Sequence, residues 1–574
     1  MHLRTVKYIL KDWLDIQGRL SYENDIINFR KERYASSWKE EMGSYKETDN
    51  KYQQFFGDIM IKLKKDIGSF NILTIVGGSF SNVKKKEFGI NAEGGDVAFE
   101  WIDVTDKETG KVYQIPNGGN AYFVNNFNKN NYYRPQIVEI PSQIRLNSVF
   151  GMLQLGYKEN IYLDLTARND WSSTLAFTNN KSMDYFYPSV GMNILLNEML
   201  NLNKKRINLL KLRVSYSIVG NGLSAYVSSQ RPMIDGTSIV YPTSAPFEDL
   251  KPEKTYSIEG GFDLLLFNHS LYLDFTFYKT NTINQFFTVE APWGSGYKYR
   301  NVNAGNVQNM GCEIHASYYR PFGRNSSWKT ELNFSYNKNL IKELYKGIDK
   351  LTLQDGGGIL VMLKQGGSYG DIYARTILRD KDGVILLDEN GAPMKDNLPT
   401  QYLGNLNAKV HMGWANTFTY KDFALYFLID GKIGGKVMSA TEAMLDGYGV
   451  SKRSGDARLA GGVPRGDGTM IDAEKYYHAV GATAYNSGYA GGEYVYNASN
   501  LRLREFSLGY TFRNALGISR HISASIIARN LFFLFKKSPC DPDISGSISN
   551  GWQGIDVFSL PSTRSIGLNL KFTF

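Results

Sequence analysis

Apolar and polar residues alternate along this chain in segments that recur from one end to the other. The final nine residues show the pattern most clearly, with apolar side chains at every second position: Ile566, Leu568, Leu570, Phe572 and Phe574. Successive side chains of a β-strand point to opposite faces, so such a segment has one apolar and one polar face. A period of two predicts strands rather than helices.

Similar segments predict strands throughout the chain. They lie at residues 14–22, 59–64, 161–168, 271–278, 332–337, 424–430 and 506–512. Each fits a window of about ten residues, which is the length that a tilted strand needs to cross a lipid bilayer. The sequence therefore predicts an all-β protein whose strands are long enough to span a membrane.

The links between the predicted strands alternate between short and long. Short links are expected near residues 66–69, 158–160, 198–208, 267–270, 321–327, 420–422 and 513–519. Long links are expected near residues 24–52, 80–142, 171–185, 220–254, 284–307, 339–406, 439–498 and 536–564. A transmembrane antiparallel β-barrel has this asymmetry, with tight periplasmic turns and long extracellular loops. Counting in this way gives about 16 strands, an even number that would put both chain ends on the periplasmic side.

The composition agrees with a barrel and argues against two other classes. Of the 574 residues, 14% are aromatic and only 42% are apolar, as expected when lipid contacts only every second residue. No segment approaches the roughly 18 consecutive apolar residues of a membrane helix. The formal net charge is +9, but the basic runs such as residues 84–86 are short and interleaved with acidic residues. Nucleic acid is therefore not an expected partner.

Several strings match a known family in their order along the chain. They are DLTARNDWSSTL at 164–175, FYPSV at 186–190, LRVSY at 212–216, VGN at 219–221, LKPE at 250–253, NAGNV at 303–307, LNFSYN at 332–337, LRLR at 501–504, LGY at 508–510, RNLF at 529–532 and DPD at 541–543. Each string is weak alone, but their shared order covers almost the whole chain. The chain resembles the carboxy-terminal barrel portion of SusC/RagA-type TonB-dependent transporters.

The resemblance implies both an architecture and a set of partners. Such transporters are 22-stranded barrels that are plugged by an amino-terminal domain. They import large nutrients, mostly glycans or peptides, beneath a surface lipoprotein of the SusD type. The TonB complex of the inner membrane supplies energy through a short TonB box and the plug. The resemblance thus implies outer-membrane lipid, a SusD-like lipoprotein and the TonB complex as partners.

The beginning of the chain departs from the family pattern. Met1–Arg4 runs into Tyr8–Trp13 without an apolar signal-peptide region or a cleavage site. The expectation is that residues 1–574 form one partial barrel, with about 16 of 22 strands and without signal peptide, TonB box or plug. Its function is then nutrient uptake in the cell outer membrane. The alternatives are a truncated, non-functional remnant, or a passive pore or surface-binding barrel.

Aromatic residues near strand ends are the candidate ligand-binding positions. Trp171 lies where a strand leaves the membrane, so it either contacts ligand or anchors the strand at the interface, with the anchor preferred. Trp293, Tyr297 and Tyr299 cluster in one predicted loop, and their ring faces suit sugars and peptide side chains alike. They would otherwise pack the loop against its neighbours.

The sequence predicts no enzyme, no cofactor and no metal centre. It contains no nucleophile elbow, phosphate loop or zinc signature, and no residue is assigned to catalysis. Asp380, Asp382 and Gly383 partly resemble a calcium loop, but the glycine stands at the wrong position and the closing glutamate is missing. A turn is the preferred interpretation of these three residues.

Overall fold

The fold is described here from a computed structural model. It covers residues 2–33, 44–93, 99–105, 109–121, 136–176, 184–227, 233–235, 238–245, 247, 251–291, 294–345, 348–356, 358–483, 488–513, 521–544, 546 and 553–573. Across these ranges, no helix is long and apolar enough to cross a bilayer.

One antiparallel sheet of 18 strands dominates the molecule. One of these strands is the two-residue segment Ser244–Ala245, which pairs in parallel with the start of a longer strand. The long strands are β1 His2–Lys11, β2 Leu14–Arg33, β3 Ser44–Ile67, β4 Phe70–Glu93, β5 Gln136–Tyr157, β6 Ile161–Ser172, β7 Asp184–Leu195, β8 Ile207–Asn221, β9 Glu253–Leu266, β10 Leu271–Glu290, β11 Tyr299–Pro321, β12 Ser326–Glu343, β13 Ala408–Tyr420, β14 Phe423–Gly434, β15 Asn500–Arg513, β16 His521–Lys536 and β17 Ser565–Thr573.

Each long strand pairs with the next one along the chain in an antiparallel meander. The prediction of an all-β antiparallel sheet is therefore confirmed. No backbone pairing joins the described residues of β1 to those of β17, so the sheet is open between its first and last strands.

The predicted count of about 16 strands misses β1. Its residues alternate poorly, because Leu3 and Ile9 share a face with Thr5 and Lys7. With β1 included, the amino end of the sheet lies at the edge of the long links and Thr573 lies at the edge of the short turns. The prediction that both ends share one edge is therefore wrong.

Several strands are much longer than the predicted ten residues. β3 and β4 each contain 24 residues, or about 80 Å of strand at roughly 3.3 Å per residue. β2 and β3 together take up most of the long link that is expected near residues 24–52, and β4 takes up part of that near 80–142. Paired strands continue beyond the depth of a bilayer because the hairpin partners satisfy each other's backbone hydrogen bonds.

The remaining elements lie in the links. The helices are α1 Leu196–Met199, α2 Ala440–Gly447, α3 Lys452–Leu459 and α4 Ala473–Val480, with 3-10 turns at Ser173–Leu175 and Gly491–Tyr494. The short strands are Phe99–Thr105, Val112–Ala121, Met233–Asp235, Ser238–Val240, Lys350–Gly356, Ile359–Lys364, Asp371–Ala374, Gln401–Asn405, Lys436–Ser439, Val463–Pro464, Met470–Ile471, Val495–Asn497 and Ile555–Asp556. Side-chain oxygens of Ser439, Ser451 and Asp472 cap the amino ends of α2, α3 and α4.

Three long links pack together into a separate lobe. The lobe is built from the described residues of three stretches, 344–407, 435–499 and 537–564. Its core is apolar and buried, and its members come from all three links: Ile359, Val361, Ile372, Met438, Ala443, Val480, Tyr494 and Ile555 among them. The lobe therefore has a core of its own, separate from the sheet, and it covers the long-link edge between β12 and β17.

Candidate functional site

The sheet has one apolar face, and this face is exposed. Ile59 of β3, Val149 of β5, Val214 of β8 and Ile258 of β9 lie on this face and are each about half exposed. Further exposed apolar residues on the same face are Leu165, Val190, Leu332, Trp414, Leu508, Ile526, Leu568 and Leu570. An apolar surface that follows every strand of a sheet is the pattern expected where strands contact lipid.

The opposite face carries charged side chains that pair across strands. Arg19 of β2 donates to Asp58 of β3 at 2.6 Å. Arg213 of β8 pairs with Asp263 at 2.8 Å and with Asp274 at 2.7 Å. In these pairs each charged side chain has a partner of opposite charge on the same face of the sheet. A face of this kind is typical of the water-filled lumen of a barrel.

A cavity of about 510 Å³ lies where the lobe meets the polar face of β11 and β12. Its wall is rich in amides. Asn339 of β12 donates to Asn309 of β11 at 2.9 Å and accepts from the backbone N–H of Tyr369 in the lobe at 2.7 Å. On the lobe side, Asn405 donates to Asp371 at 2.8 Å. The amides thus fix the lobe on the sheet and line a polar chamber, whose wall also includes Lys338, Asp371 and Lys409.

A second cavity of about 430 Å³ lies deeper on the polar face. It is lined by Asp274, Glu313, His315, His411 and Asp430, among others. No group of three or more such side chains in the described part of the chain is arranged to hold a metal ion. The carboxylate and imidazole side chains of its lining make this chamber an ionic part of the polar face.

The last long link is tied to the polar face by buried charges. Arg502 of β15 is 1% exposed and donates to both Asp543 and Ser562. Arg504 donates to Asp430 of β14 at 2.5 Å and to Asp543 at 3.2 Å. Burial raises the pKa of Asp543, but Lys432, Arg502 and Arg504 outweigh burial and hold this pKa below its usual value. We call Lys432, Arg502, Arg504, Asp541 and Asp543 the ionic latch.

The predicted ligand-binding residues do not converge on one site. Trp171 is 40% exposed on the apolar face, where it borders a shallow depression of about 640 Å³ with Leu20 and Phe80. Tyr297 is exposed at the tip of the β10–β11 hairpin, and Tyr299 is half-buried beside it, with Lys298 Nζ 5.1 Å from its ring. Trp293 lies outside the described residues.

The turn interpretation of residues 380–383 agrees with the structure. Asp380 accepts from the backbone N–H groups of Asp382 and Val384, each at 2.9 Å. Gly383 has a φ of +83°, which glycine adopts without strain. The carboxylate is thus used to close the turn.

Sequence reasoning missed the lobe cavity and the ionic latch. The strings at 501–504 and 541–543 lie far apart in the sequence, and only the fold brings Arg502 and Arg504 into contact with Asp543. Alternation alone gives the wrong face for Arg502, which has the same even-numbered spacing as Leu508. Arg502 lies opposite Asp430 on the polar face because the register shifts between Leu503 and Glu505.

Comparisons with known proteins give consistent findings. The family described as "TonB dependent receptor-like, beta-barrel" matches residues 7–531. TonB-dependent receptor P3 of Formosa agariphila is 26% identical over 474 residues, which cover 75% of this chain and 46% of that protein. TonB-dependent receptor SusC of Bacteroides thetaiotaomicron is 24% identical over 477 residues, which cover 74% of this chain and 44% of SusC. The chain spans about half the length of the curated relatives it matches.

Solved structures show the same fold. The structure of the RagAB peptide transporter superposes with a TM-score of 0.72 at 15% identity, covering 99% of this chain and 61% of that chain. The RagAB peptide importer in its open-open state gives a TM-score of 0.75 at 16% identity, covering 99% and 60%. At this identity the likeness is one of fold.

Proposed function

We propose, since the chain belongs to the TonB dependent receptor-like β-barrel family, that residues 1–574 are the barrel portion of a SusC-like importer in the cell outer membrane. The substrate class is glycans or peptides, which pass through the lumen lined by the polar face. One observation carries the proposal: the sheet exposes apolar side chains on one face and pairs charges on the other along its whole width.

The partners follow from the same premise. The relatives named SusC and RagAB support a SusD-like surface lipoprotein as the partner that captures substrate over the long links. Energy for import comes from the TonB complex through a plug domain. Outer-membrane lipid surrounds the apolar face.

The lobe and the amide-lined cavity are proposed to form the entrance for substrate. Amide and hydroxyl groups bind neutral polar ligands by hydrogen bonding, which suits both sugar hydroxyls and peptide backbones. Tyr297 and Tyr299 are proposed as ligand contacts at the hairpin tip. Trp171, in contrast, is proposed as an interfacial anchor because it points away from the polar face.

An uptake assay tests this function. A strain that lacks the coding sequence should lose uptake of labelled oligosaccharides or oligopeptides, and the complete gene should restore it. Uptake that stops when the inner-membrane proton gradient is collapsed indicates TonB-driven import. Uptake that continues without the gradient would indicate a passive pore, and unchanged uptake of both substrate classes in the deletion strain would contradict the proposal.

A further inference from the structure

The short-turn edge of the sheet carries a repeated pair of side chains. At four of its turns an exposed aromatic ring ends a strand and a Lys or Arg side chain lies over the ring face. The distances from cation to ring centre are 5.9 Å for Lys65 and Trp13, 5.4 Å for Lys158 and Tyr157, 5.5 Å for Arg320 and Phe322, and 5.4 Å for Lys421 and Tyr420. We call these four pairs the rim.

The rim aromatics mark the border of the apolar face. Trp13, Tyr157, Phe322 and Tyr420 are 38% to 58% exposed. Tyr157 and Tyr420 are the last residues of β5 and β13, and Trp13 and Phe322 stand one or two residues past the ends of β1 and β11. Aromatic rings at such a border sit at the depth of lipid head groups, where the ring contacts hydrocarbon and the polar end meets water.

The rim cations have no carboxylate partner among the described residues of the protein. No ion pair within 4 Å joins Lys65, Lys158, Arg320 or Lys421 to a carboxylate in the described part of the chain. Their charged ends lie over the ring faces at the border of the apolar face, which is the depth where head groups are expected. Four unpaired positive charges at one depth favour an anionic layer.

We propose that the rim binds the phosphate groups of anionic phospholipids in the leaflet that faces the short turns. The proposal rests on the proposed membrane barrel and adds a lipid-binding site to it. Each cation near an anionic membrane surface changes association by about fivefold. The ring beneath each cation holds it at the depth of the phosphate.

The test compares two fourfold variants of the full chain in nanodiscs of phosphatidylcholine and phosphatidylglycerol. The rim variant carries Lys65→Gln, Lys158→Gln, Arg320→Gln and Lys421→Gln. The control variant carries Lys85→Gln, Lys86→Gln, Lys536→Gln and Lys537→Gln, which remove cations that also lie over rings but at the long-link end. Native mass spectrometry of the released protein counts the retained lipids of each type.

The proposal predicts that the parent chain and the control variant retain phosphatidylglycerol in preference to phosphatidylcholine. In the rim variant this preference should fall by at least about fivefold. A charge-conserving variant, with Lys65→Arg, Lys158→Arg, Arg320→Lys and Lys421→Arg, should restore it. This second variant keeps the test valid where the glutamine variant folds poorly.

Five results would overturn the proposal. An unchanged preference in the folded rim variant would show that these cations bind no lipid. An equal loss in the control variant would assign the preference to net charge alone. Competition by glycerol 3-phosphate in solution would identify a site for soluble phosphate instead. Failure of the parent chain to enter nanodiscs would overturn the membrane barrel as well, whereas insertion without lipid preference would overturn only the rim site.

Discussion

Arg502 of β15 forms a buried ion pair with Asp543, which lies 41 residues further along the chain in the last long link. Arg502 is almost wholly removed from solvent, while about one third of the Asp543 side chain is exposed. A buried guanidinium that loses its partner is costly because its charge stays desolvated. The pair therefore holds the last link, and with it one wall of the lobe, against the polar face of the sheet.

Replacement of Asp543 by Asn should release the last link. We expect the free energy of local opening to fall by about 2–3 kcal/mol, below the roughly 3–5 kcal/mol of a fully buried pair because Asp543 is partly exposed. Hydrogen exchange of amides 553–564 measures this opening. Asp422→Asn is the matched control, since Asp422 pairs with the exposed Arg513 and should cost less than about 1 kcal/mol. Equal effects of the two variants would contradict the special role of the latch.

The latch should also weaken in acid. The pKa values of Asp541 and Asp543 lie below their usual range in the folded chain, since Ser562 bonds to Asp541 and three cations surround Asp543 against the opposing effect of burial. A depressed pKa contributes stability above the unfolded value of about 3.9 that is lost as pH falls through the folded value. The free energy of opening of residues 553–564, obtained from exchange rates corrected for the intrinsic pH dependence of amide exchange, should therefore be constant from about pH 5 to about pH 7 and fall below about pH 4. Asp543→Asn should flatten most of this dependence, and an unaltered dependence would rule out Asp543 as its source.

A close backbone approach in the lobe leaves no room for a side chain at Gly447. A Cβ atom at this position, at the end of α2, would lie 2.2 Å from the carbonyl oxygen of Ala482. Because that neighbour is backbone, Gly447→Ala should destabilise the lobe by about 1–3 kcal/mol. Thermal unfolding monitored by proteolysis of the lobe measures the change.

Gly455 is the control for this prediction. It lies inside α3, where an added Cβ meets only the flexible end of Arg458 at 3.9 Å. Gly455→Ala should leave the lobe unchanged or stabilise it by up to about 1 kcal/mol through helix propensity. If Gly455→Ala destabilised the lobe as much as Gly447→Ala, the loss in Gly447→Ala could not be assigned to its close backbone contact.

The aromatic candidates should separate into two classes. Tyr297→Ala and Tyr299→Ala should weaken binding of the transported glycan or peptide by roughly tenfold, as removal of a contacting ring commonly does. Trp171→Ala should leave that affinity unchanged and reduce the yield of inserted protein, since the ring lies on the apolar face. Equilibrium binding and insertion yield, measured on the same preparations, distinguish the ligand contacts from the interfacial anchor. A loss of ligand affinity in Trp171→Ala would refute the anchor assignment.

The sequence predicts the strands of the large sheet well because the alternation of apolar and polar residues is a local property. Segments such as 161–168 and 566–574 carry their two faces in adjacent residues, so strands β6 and β17 follow directly from the pattern. The short turns at 158–160, 267–270 and 420–422 are confirmed for the same reason. β1 is missed where Leu3 and Ile9 blur the alternation.

The lobe and the latch depend on contacts between distant residues, which no local pattern reveals. Ile359, Met438 and Ile555 share one core although they come from three different links. Arg502 and Asp543 meet only because β15 and the last link are folded onto each other. The strand lengths are underestimated because residues such as Lys84–Lys86 look like loop charges, whereas they pair with β3 in a long hairpin.

The central claim is that one face of the sheet contacts lipid and the other lines a lumen. Val214 and Ser215 are neighbours on β8, with Val214 about half exposed on the apolar face. Ser215 stands between Gly191 and Glu259 on the polar face, so an arginine there has room and a partner for its charge.

The most direct measurement is the free energy of unfolding of Val214→Arg and Ser215→Arg in lipid vesicles. A charge on the lipid face near the bilayer centre costs about 2–4 kcal/mol, whereas a charge in the lumen costs little. We predict a loss of that size for Val214→Arg and a change below about 1 kcal/mol for Ser215→Arg. Equal losses, or the larger loss in Ser215→Arg, would contradict the assignment of the two faces and with it the membrane barrel.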